Sequence, residues 1–400
     1  MVEDHDIIIA GGGPAGLTAA KAAAEKGMEV LLLEMKAQIG QSQTASWTFP
    51  EFLDEDSSEV VKSEIHEMEV HSSHKDLKIE GDLGKIIDRE EFEKKLASEA
   101  VEAGADIWLG APVRELLEKR GKISGVKIES GNWSEKIESK GVIDATGAGA
   151  RWASIFRRQV QNFDWDEEKN TQTNEYLMSN STGREKIDLY FNSLFAPRGY
   201  AWIHSFGENH AMAGIRGVRI HPDSALDEFI GREDPSRLAE SVPIGEFRRQ
   251  LPVQGPISTM VDDGIMAIGT AAGQVYPLSA HGLKYAIESG RIAGEFMADA
   301  VSENDLSRDT LSGYEREWRE RFEKEMEVGE LLLDSLEISP DQKMDSLVDY
   351  LEGKEELKES FLNIFLAKDL ETSLKVFFKG EEPKRLFGEE RVERILSLYS

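Results

Sequence analysis

Two fully apolar runs near the start of the chain are separated by glycine-rich and alanine-rich segments. Ile7 to Ile9 form the first run and residues 30–33 the second, and the alanine-rich stretch between them ends at Gly27. Short apolar runs are typical of buried parallel strands, and glycine commonly follows a helix C-terminus. The pattern therefore predicts a strand–loop–helix–strand unit that begins at Asp6.

The next part of the chain predicts one amphipathic helix and then a meander of strands. Phe92 and Leu96 recur on one face after Asp88, which has the residue type of a helix N-cap. Residues 113–143 alternate in the manner of strands. Glycines mark the turns that we predict between these strands, and they are Gly121, Gly125 and Gly131.

The chain is strongly acidic, with 76 Asp and Glu residues against 47 Lys and Arg residues and a formal net charge of −29. Such a surface repels phosphate backbones, so we expect no nucleic-acid partner. The acidic residues are spread along the whole chain. This distribution favours a surface adapted to high salt over that of an ordinary acidic protein.

Several kinds of site and location are disfavoured by what the sequence lacks. The chain has no cysteine, which excludes disulfides and thiolate metal sites. His66, His71 and His74 are close in sequence, but we interpret them as solvated surface residues and expect no metal site. No apolar run reaches the ~20 residues of a membrane-spanning helix, and the acidic start is unlike a signal peptide. We therefore expect a cytoplasmic protein and leave a peripheral membrane contact open.

Gly11, Gly13 and Gly16 have the GxGxxG spacing of a dinucleotide-binding loop. The first glycine permits a tight turn, the second admits the pyrophosphate and the third lets the helix pack on the strand. Glu34 ends the second apolar run, where an acid binds a ribose hydroxyl. The unit therefore predicts a dinucleotide at the helix N-terminus, without distinguishing NAD from FAD.

Later segments resemble the flavin-contacting segments of the FAD-dependent hydroxylase-like superfamily. Residues 144–147 read Asp-Ala-Thr-Gly, and residues 269–273 read Gly-Thr-Ala-Ala-Gly, with Gly282 and Leu283 following. In that superfamily a strand-end loop contacts the ribityl chain, and the next helix directs its N-terminus at the isoalloxazine ring. Thr270 stands where the superfamily usually has Asp, although its hydroxyl can still donate or accept a hydrogen bond.

Within that superfamily the chain resembles the geranylgeranyl reductase family, especially the archaeal enzymes that saturate isoprenoid ether lipids. Residues 197–202 are similar to the family's PxGYxW element, and residues 269–283 to its flavin loop. The family's WxFP continues here with His204 and Ser205, and its cysteine near the flavin corresponds to Ala45. Segments similar to a halophilic archaeal branch without that cysteine are Ile39–Gly40, Ser42, Thr44, residues 48–50 and residues 341–378.

The resemblance implies an α/β fold of the p-hydroxybenzoate-hydroxylase type. Residues 1–154 and 256–305 would form a Rossmann-like FAD-binding domain, residues 155–255 a β-sheet substrate domain that binds the prenyl chain, and residues 306–400 a helical C-terminal region. The loop motif and the resemblance together predict the FAD-binding residues. They are Gly11, Gly13, Ala15, Gly16, Glu34, Ala45, Ser46, Arg89, Val113, Gly147, Gly269, Thr270, Gly282 and Leu283.

The implied reaction is the reduction of C=C bonds in geranylgeranyl chains, with a hydride from reduced FAD and a proton from a positioned acid. The candidate acids are Tyr276, His281 and Tyr200. Tyr200 and Trp202 share one strand face and are candidates for lining the prenyl channel. For each of these residues, ordinary packing or a hydrogen bond to the backbone is the competing interpretation.

Two other functions stay open at this point. One is a lycopene-cyclase-like flavoprotein that consumes no electrons, and the other is a flavin monooxygenase or a diverged flavin-binding paralogue. A reductase needs an external electron donor, for which ferredoxin, NAD(P)H and a deazaflavin are candidates. The chain has no second GxGxxG, which argues against a dedicated nicotinamide domain. A prenyl lipid is the expected substrate, with transient membrane contact as an open alternative.

Overall fold

The computed structural model describes most of the chain. It covers residues 5–41, 45–49, 55–131, 133–148, 154–161, 170–181, 185–207, 209–232, 238, 240–336 and 340–400. Ser42, Thr44 and Pro50, which carry part of the family resemblance, lie outside the described residues.

The described secondary structure mixes strands and helices along the first three quarters of the chain and is helical after them. The strands are β1 (His5–Ala10), β2 (Val30–Glu34), β3 (Ala45–Thr48), β4 (Val61–Glu64), β5 (Glu67–His71), β6 (Asp76–Glu80), β7 (Lys85–Asp88), β8 (Asp106–Leu109), β9 (Val113–Lys119), β10 (Lys122–Ser130), β11 (Trp133–Asp144), β12 (Thr171–Ser179), β13 (Ile187–Tyr190), β14 (Tyr200–Phe206), β15 (His210–Val218), β16 (Val242–Leu251), β17 (Val261–Asp262) and β18 (Ile265–Ala267). The helices are α1 (Pro14–Glu25), α2 (Arg89–Glu102), α3 (Pro222–Arg232), α4 (Leu283–Ser302), α5 (Arg308–Ser335), α6 (Pro340–Leu351), α7 (Glu355–Leu366), α8 (Leu370–Phe377), α9 (Glu381–Phe387) and α10 (Glu389–Ser397).

The first sheet has a parallel centre in the order β18-β11-β1-β2-β8. At its centre, Ile7, Ile8 and Ile9 of β1 and residues 30–33 of β2 are apolar and almost completely buried, as expected for a parallel sheet that is covered on both faces. The predicted β1–α1–β2 unit is confirmed. Parallel strands end at one edge of a sheet, so this topology brings the residues after β1, β2, β11 and β18 together.

The strand meander is confirmed, with one correction. β9, β10 and β11 pair antiparallel, and turns lie at Gly121 and Gly131 as predicted. Gly125 was predicted to be a turn and is not, because it lies inside β10 at a shift of register with β9. Its φ is +144°, and a Cβ there would lie 2.2 Å from the carbonyl oxygen of Ile137. The glycine therefore permits a β-bulge.

The second sheet has the order β16-β12-β15-β14-β13-β5-β6, so two of its strands come from the chain before residue 154. One face packs on α3, through residues that include Ile203, Ile215 and Phe229. The other face carries Tyr200 and Trp202, which belong to the same hydrophobic core as the first sheet and the C-terminal helices. A smaller sheet, β3-β7-β4, is formed by strands that come between β2 and β8 in the chain. The predicted α/β fold with a helical C-terminal region is confirmed.

Helix α4 is held tightly against α1. A Cβ on Gly290 would lie 2.4 Å from the carbonyl oxygen of Ala15, and one on Gly294 would lie 2.5 Å from that of Ala19. The two glycines therefore let the helices approach at backbone distance and fix the N-terminus of α4 beside that of α1. In the described residues, no helix combines the length and apolarity needed to cross a bilayer.

Candidate functional site

The GxGxxG loop is packed at backbone distance. A Cβ on Gly11 would lie 2.3 Å from the carbonyl oxygen of Ala145, and one on Gly16 would lie 1.9 Å from that of Gly11. A Cβ on Gly13, in contrast, would meet no atom of the described residues within 4 Å. The first and third glycines are thus required by the fold, whereas the second leaves open space at the start of α1.

Two helix N-termini at this site have no capping side chain. Gly13 is the N-cap of α1 and Pro14 its first residue, and Gly282 is the N-cap of α4. Uncapped N–H groups and the helix dipole together favour an anionic ligand. The space at Gly13 and the two uncapped helices fit a dinucleotide, with its pyrophosphate at α1 and its second ring system at α4.

Glu34 is buried at the end of β2 and is held by backbone N–H groups. Its Oε2 accepts a hydrogen bond from Gly12 N at 2.6 Å, and its Oε1 accepts one from Lys36 N at 2.8 Å. The amide of Ala111 donates to the backbone carbonyl of Glu34, which brings the start of β9, at Val113, to the same end of the loop. This carboxylate is oriented where a ribose hydroxyl would bind.

The segments after β11 and β18 face each other. Asp144 is buried and accepts hydrogen bonds from Thr146 N and Phe156 N, which fixes the loop after β11. A Cβ on Gly147 would lie 3.4 Å from Thr270 Oγ1. A Cβ on Gly269, whose φ is +61°, would lie 2.9 Å from that of Ala15. These predicted residues therefore lie together beside the glycine loop.

A cavity with many polar side chains and about 840 Å³ of empty space, open to solvent, lies between the second sheet, the start of β3 and the N-terminus of α4. Eight of the predicted site residues line it, and they are Ala45, Ser46, Arg89, Tyr200, Trp202, His281, Gly282 and Leu283. The ring centroids of Tyr200 and Trp202 are 5.5 Å apart.

The three candidate acids lie in different environments. The hydroxyl of Tyr200 donates a hydrogen bond to the carbonyl oxygen of Ser279 at 2.8 Å, and burial raises the pKa of Tyr200 to about 12. Burial and the nearby charge of Arg216 lower the pKa of His281 to about 4. Tyr276 is not among the residues that line this cavity, and its hydroxyl donates to the carbonyl oxygen of Ile364 at 2.8 Å.

Sequence reasoning missed several polar side chains of the cavity. Thr173 and Glu175 come from β12, Arg216 from β15 and Arg249 from β16. His204 shares the strand face of Tyr200 and Trp202 and also lines the cavity, and burial and the neighbouring His281 lower its pKa to about 3. One signal was present, because Arg216 is the single charged residue inside the otherwise apolar run 211–218.

A second cavity, of about 590 Å³, lies between the second sheet and the C-terminal helices. Its walls are almost wholly apolar, and Tyr200 and Arg216 line both cavities. Helices α5 to α9 contribute most of this lining. Sequence reasoning missed it, because nothing local indicates that the helical tail folds back over the sheet. The helical residues that line it include Leu333, Leu336, Leu347, Phe365 and Phe377.

His71 belongs to a cluster with Glu69 and Asp188 whose ligand-type atoms all lie within 4.8 Å of one another. The ammonium group of Lys186 is 2.6 Å from a carboxylate oxygen of Glu69 and 2.7 Å from one of Asp188. Burial lowers the pKa of His71, but the hydrogen bonds that its ring donates to the carboxylates of Asp188 and Asp76 outweigh burial and raise that pKa. The cluster is therefore an ion-pair network with its own cation.

Comparison with known proteins gives consistent findings. The sequence model of the family described as FAD dependent oxidoreductase matches residues 6–200. Digeranylgeranylglycerophospholipid reductase 1 of Methanopyrus kandleri is 32% identical over 92% of this chain and 99% of its own length. The digeranylgeranylglycerophospholipid reductase of Methanosarcina acetivorans is 28% identical over 98% of this chain and 97% of its own.

Solved structures are similar over nearly the whole chain. A geranylgeranyl bacteriochlorophyll reductase-like protein from Thermoplasma acidophilum superposes with a TM-score of 0.83 at 25% identity, and the match covers 99% of both chains. A flavin-dependent brominase superposes with a TM-score of 0.71 at 17% identity, over 90% of this chain and 93% of its own. The second likeness shows a shared fold alone.

Proposed function

The chain belongs to the family of digeranylgeranylglycerophospholipid reductases, and from that premise we propose that it is an FAD-dependent oxidoreductase that reduces C=C bonds of geranylgeranyl chains in archaeal ether lipids. One observation in the structure carries the proposal. The polar cavity contains the N-terminus of α4, and Tyr200 and Arg216 line both this cavity and the apolar one. Space for an apolar chain therefore lies directly beside the site that we propose for the flavin.

When bound, FAD supplies the hydride for the reduction. We propose that the glycine loop and α1 hold its pyrophosphate, that Glu34 binds a ribose hydroxyl, and that the N-terminus of α4 stabilises negative charge on the ring. The remaining residues that we propose for FAD contact are Ala15, Ala45, Ser46, Arg89, Val113, Gly147, Gly269, Thr270, Gly282 and Leu283.

Tyr200 is the proton donor in this proposal. Its pKa of about 12 keeps the hydroxyl protonated near pH 7, whereas His281, with a pKa of about 4, is neutral there. Tyr276 does not line the polar cavity, and its hydroxyl donates to the carbonyl of Ile364, so we assign it to the packing of the helical region. Trp202 lies against Gly214, where a Cβ would be 2.3 Å from the indole, and forms a wall for the prenyl chain.

The reaction needs a lipid and an external reductant. We propose ferredoxin or NAD(P)H as the donor. The chain has no second GxGxxG, so NAD(P)H would bind transiently and without a dedicated domain. We also propose that the protein meets its lipid at the membrane surface. Leu194, with 71% of its surface exposed, follows Phe191 of the apolar cavity and provides an apolar contact there.

The test is anaerobic reoxidation of the reduced flavoprotein by an unsaturated archaeal diether lipid. The bleached flavin absorption should return only when the lipid is present, and each reduced bond should add two hydrogen atoms to the lipid mass. The fully saturated diether is the matched control and should leave the flavin reduced.

Other outcomes would replace the proposal. A lipid that changes structure without gaining mass or consuming electrons would indicate a cyclase. Oxygen consumption coupled to an oxygenated product would indicate a monooxygenase. A reduced flavin that no prenyl lipid reoxidises would contradict the reductase function.

A further inference from the structure

Arg216 is a buried cation that has no hydrogen-bond partner in the part of the chain that the structure describes. Only 2% of its surface is exposed, and none of its three side-chain nitrogens has a partner among the described residues. Its Cζ lies 5.1 Å from the ring centroid of Tyr200. A ring face stabilises a cation only partly, and a guanidinium stays charged when buried, so this side chain lacks the anion that buried charges require.

The other arginines around Arg216 already have carboxylate partners. Arg89 Nε donates to Glu93 Oε1 at 2.8 Å, and Arg249 pairs with Glu175. Arg198, which lines the apolar cavity, donates to Asp334 Oδ1 at 2.8 Å. Among the described residues that line the two cavities, Glu175 is the one carboxylate, and it pairs with Arg249. No lining carboxylate is therefore left to pair with Arg216.

Thr173 adds a second donor beside Arg216. It lies directly opposite Arg216 across the β12–β15 pair, as Tyr200 does across the β14–β15 pair. Its side-chain oxygen is buried and has no hydrogen-bond partner in the described residues. Directly opposite residues have Cβ atoms ~4.5–5.5 Å apart, so one oxyanion can accept from both side chains. Both side chains line the polar cavity.

The space around Arg216 indicates the shape of the ligand. Arg216 lines the polar cavity on one side and the apolar cavity on the other. A ligand that satisfies the guanidinium therefore has apolar space for a chain directly beside its anionic group. Resting on the proposed function, we propose that Arg216 and Thr173 bind the phosphate of the lipid head group, with a prenyl chain in the apolar cavity under the C-terminal helices.

The strength of this contact should be measurable as discrimination between two lipids. Hydrogen bonds to charged groups contribute roughly 1.5–3 kcal/mol, which corresponds to about 10- to 150-fold in affinity. Digeranylgeranylglyceryl phosphate should therefore bind about 10- to 150-fold more tightly than digeranylgeranylglycerol, which has the same chains and no phosphate. The affinity ratio between these two lipids is the quantity to follow.

The experiment measures both affinities by equilibrium dialysis on the oxidised holoprotein at fixed salt and detergent. Arg216→Gln should bring the ratio close to one, mainly by weakening the phosphate lipid. Thr173→Val, which keeps the side-chain shape, should lower the ratio several-fold and keeps the test valid if Arg216→Gln fails to fold. Arg248→Gln, at an exposed arginine of the same sheet, is the matched control and should leave the ratio unchanged.

Three results would overturn the assignment. Equal loss of affinity for both lipids would mean that Arg216 only shapes the cavity. An unchanged ratio with a shifted flavin reduction potential in Arg216→Gln would place the guanidinium against the flavin. Inorganic phosphate that binds the wild-type protein through Arg216, while the two lipids bind equally, would assign the site to a free phosphate.

The binding measurement does not depend on turnover. If neither lipid reoxidises the reduced flavin of the wild-type protein, the proposed reduction fails, and the affinity ratio still decides whether Arg216 binds the head group. If both lipids are reduced and the ratio is one in the wild-type protein, the reductase function stands and the Arg216 assignment fails.

Discussion

The dinucleotide loop and the cavity beside it are built in opposite ways. The loop is formed by glycines at positions that have no room for a side chain, as at Gly16, where a Cβ would lie 1.9 Å from the carbonyl oxygen of Gly11. The cavity is formed by side chains from separate segments of the chain, such as those of Thr173, Arg216 and His281. Substitutions in the loop should therefore damage the fold and the cofactor site together, whereas substitutions in the cavity should change chemistry and leave the fold intact.

The sharpest test of this contrast is a pair of glycine substitutions within the loop. Gly16→Ala should abolish FAD binding and destabilise the apoprotein, because the new methyl group overlaps the backbone of Gly11. We expect at least about a 100-fold loss of FAD affinity, which is about 2.7 kcal/mol. FAD titration and thermal unfolding of the apoprotein measure the two effects.

Gly13→Ala is the matched partner in that test. No atom of the described residues lies within 4 Å of its Cβ position, and its backbone is extended, so the apoprotein should keep its unfolding midpoint. FAD should still bind more weakly, since the methyl group takes the space of the pyrophosphate. If Gly13→Ala and Gly16→Ala destabilised the apoprotein equally, the idea that the fold requires Gly16 and the ligand requires Gly13 would be wrong.

The second test changes chemistry in the cavity. Tyr200→Phe keeps the ring and removes the proposed acid, so reoxidation of the reduced flavin by lipid should slow by about 100-fold or more. FAD content and the unfolding midpoint should stay close to those of the wild-type protein. Stopped-flow absorbance with the unsaturated diether measures the rate. If Tyr276→Phe lost the rate and Tyr200→Phe kept it, the proton donor would be Tyr276.

The pH profile of the same rate gives a further prediction. Tyr200 has a pKa of about 12 and His281 a pKa of about 4, so neither group changes charge between pH 6 and pH 9 on these values. The single-turnover rate should therefore be flat across that range. A limb with an apparent pKa near 7 would indicate a different group, or a shift of His281 when the flavin and lipid are bound.

The same contrast explains what the sequence could predict. Gly16 and Glu34 contact neighbours in one βαβ unit, so their spacing predicts their positions. Gly125 was misjudged because a glycine that permits a bulge and one that permits a turn look alike in sequence. Arg216 and Thr173 become neighbours only through the register of β12 and β15, which no local pattern contains.

The apolar cavity was beyond sequence reasoning for a related reason. Phe365 and Phe377 belong to amphipathic helices, and their spacing predicts a buried face without saying what it covers. In the structure Phe365 lies 5.4 Å from the ring of Tyr200, which comes from the middle of the chain. Helices α5 to α9, which we call the helical cover, and the second sheet therefore form the apolar cavity together.

The smallest expected effect concerns this helical cover. Glu330, on α5, faces Gly255, and burial together with Asp334 and Glu327 raises its pKa to about 7. Its ordinary pKa is 4.5, so the folded protein binds the proton more tightly than the unfolded chain. The stabilisation is then complete below about pH 4.5 and is lost as the pH rises through about 7.

Glu330→Gln should remove this pH dependence, because the amide resembles the protonated carboxyl group and does not titrate. At pH 8 we expect the variant to unfold at a midpoint higher by roughly 1–2 °C, after allowance for solvent screening, and at pH 5 the two proteins should differ by less. Glu320→Gln, at an exposed position of the same helix, is the control and should shift neither midpoint. A constant difference at both pH values would mean that Glu330 acts through packing. Glu330 lies on α5 and not in the glycine loop. The Glu330→Gln variant and the wild-type protein should therefore bind FAD with the same affinity.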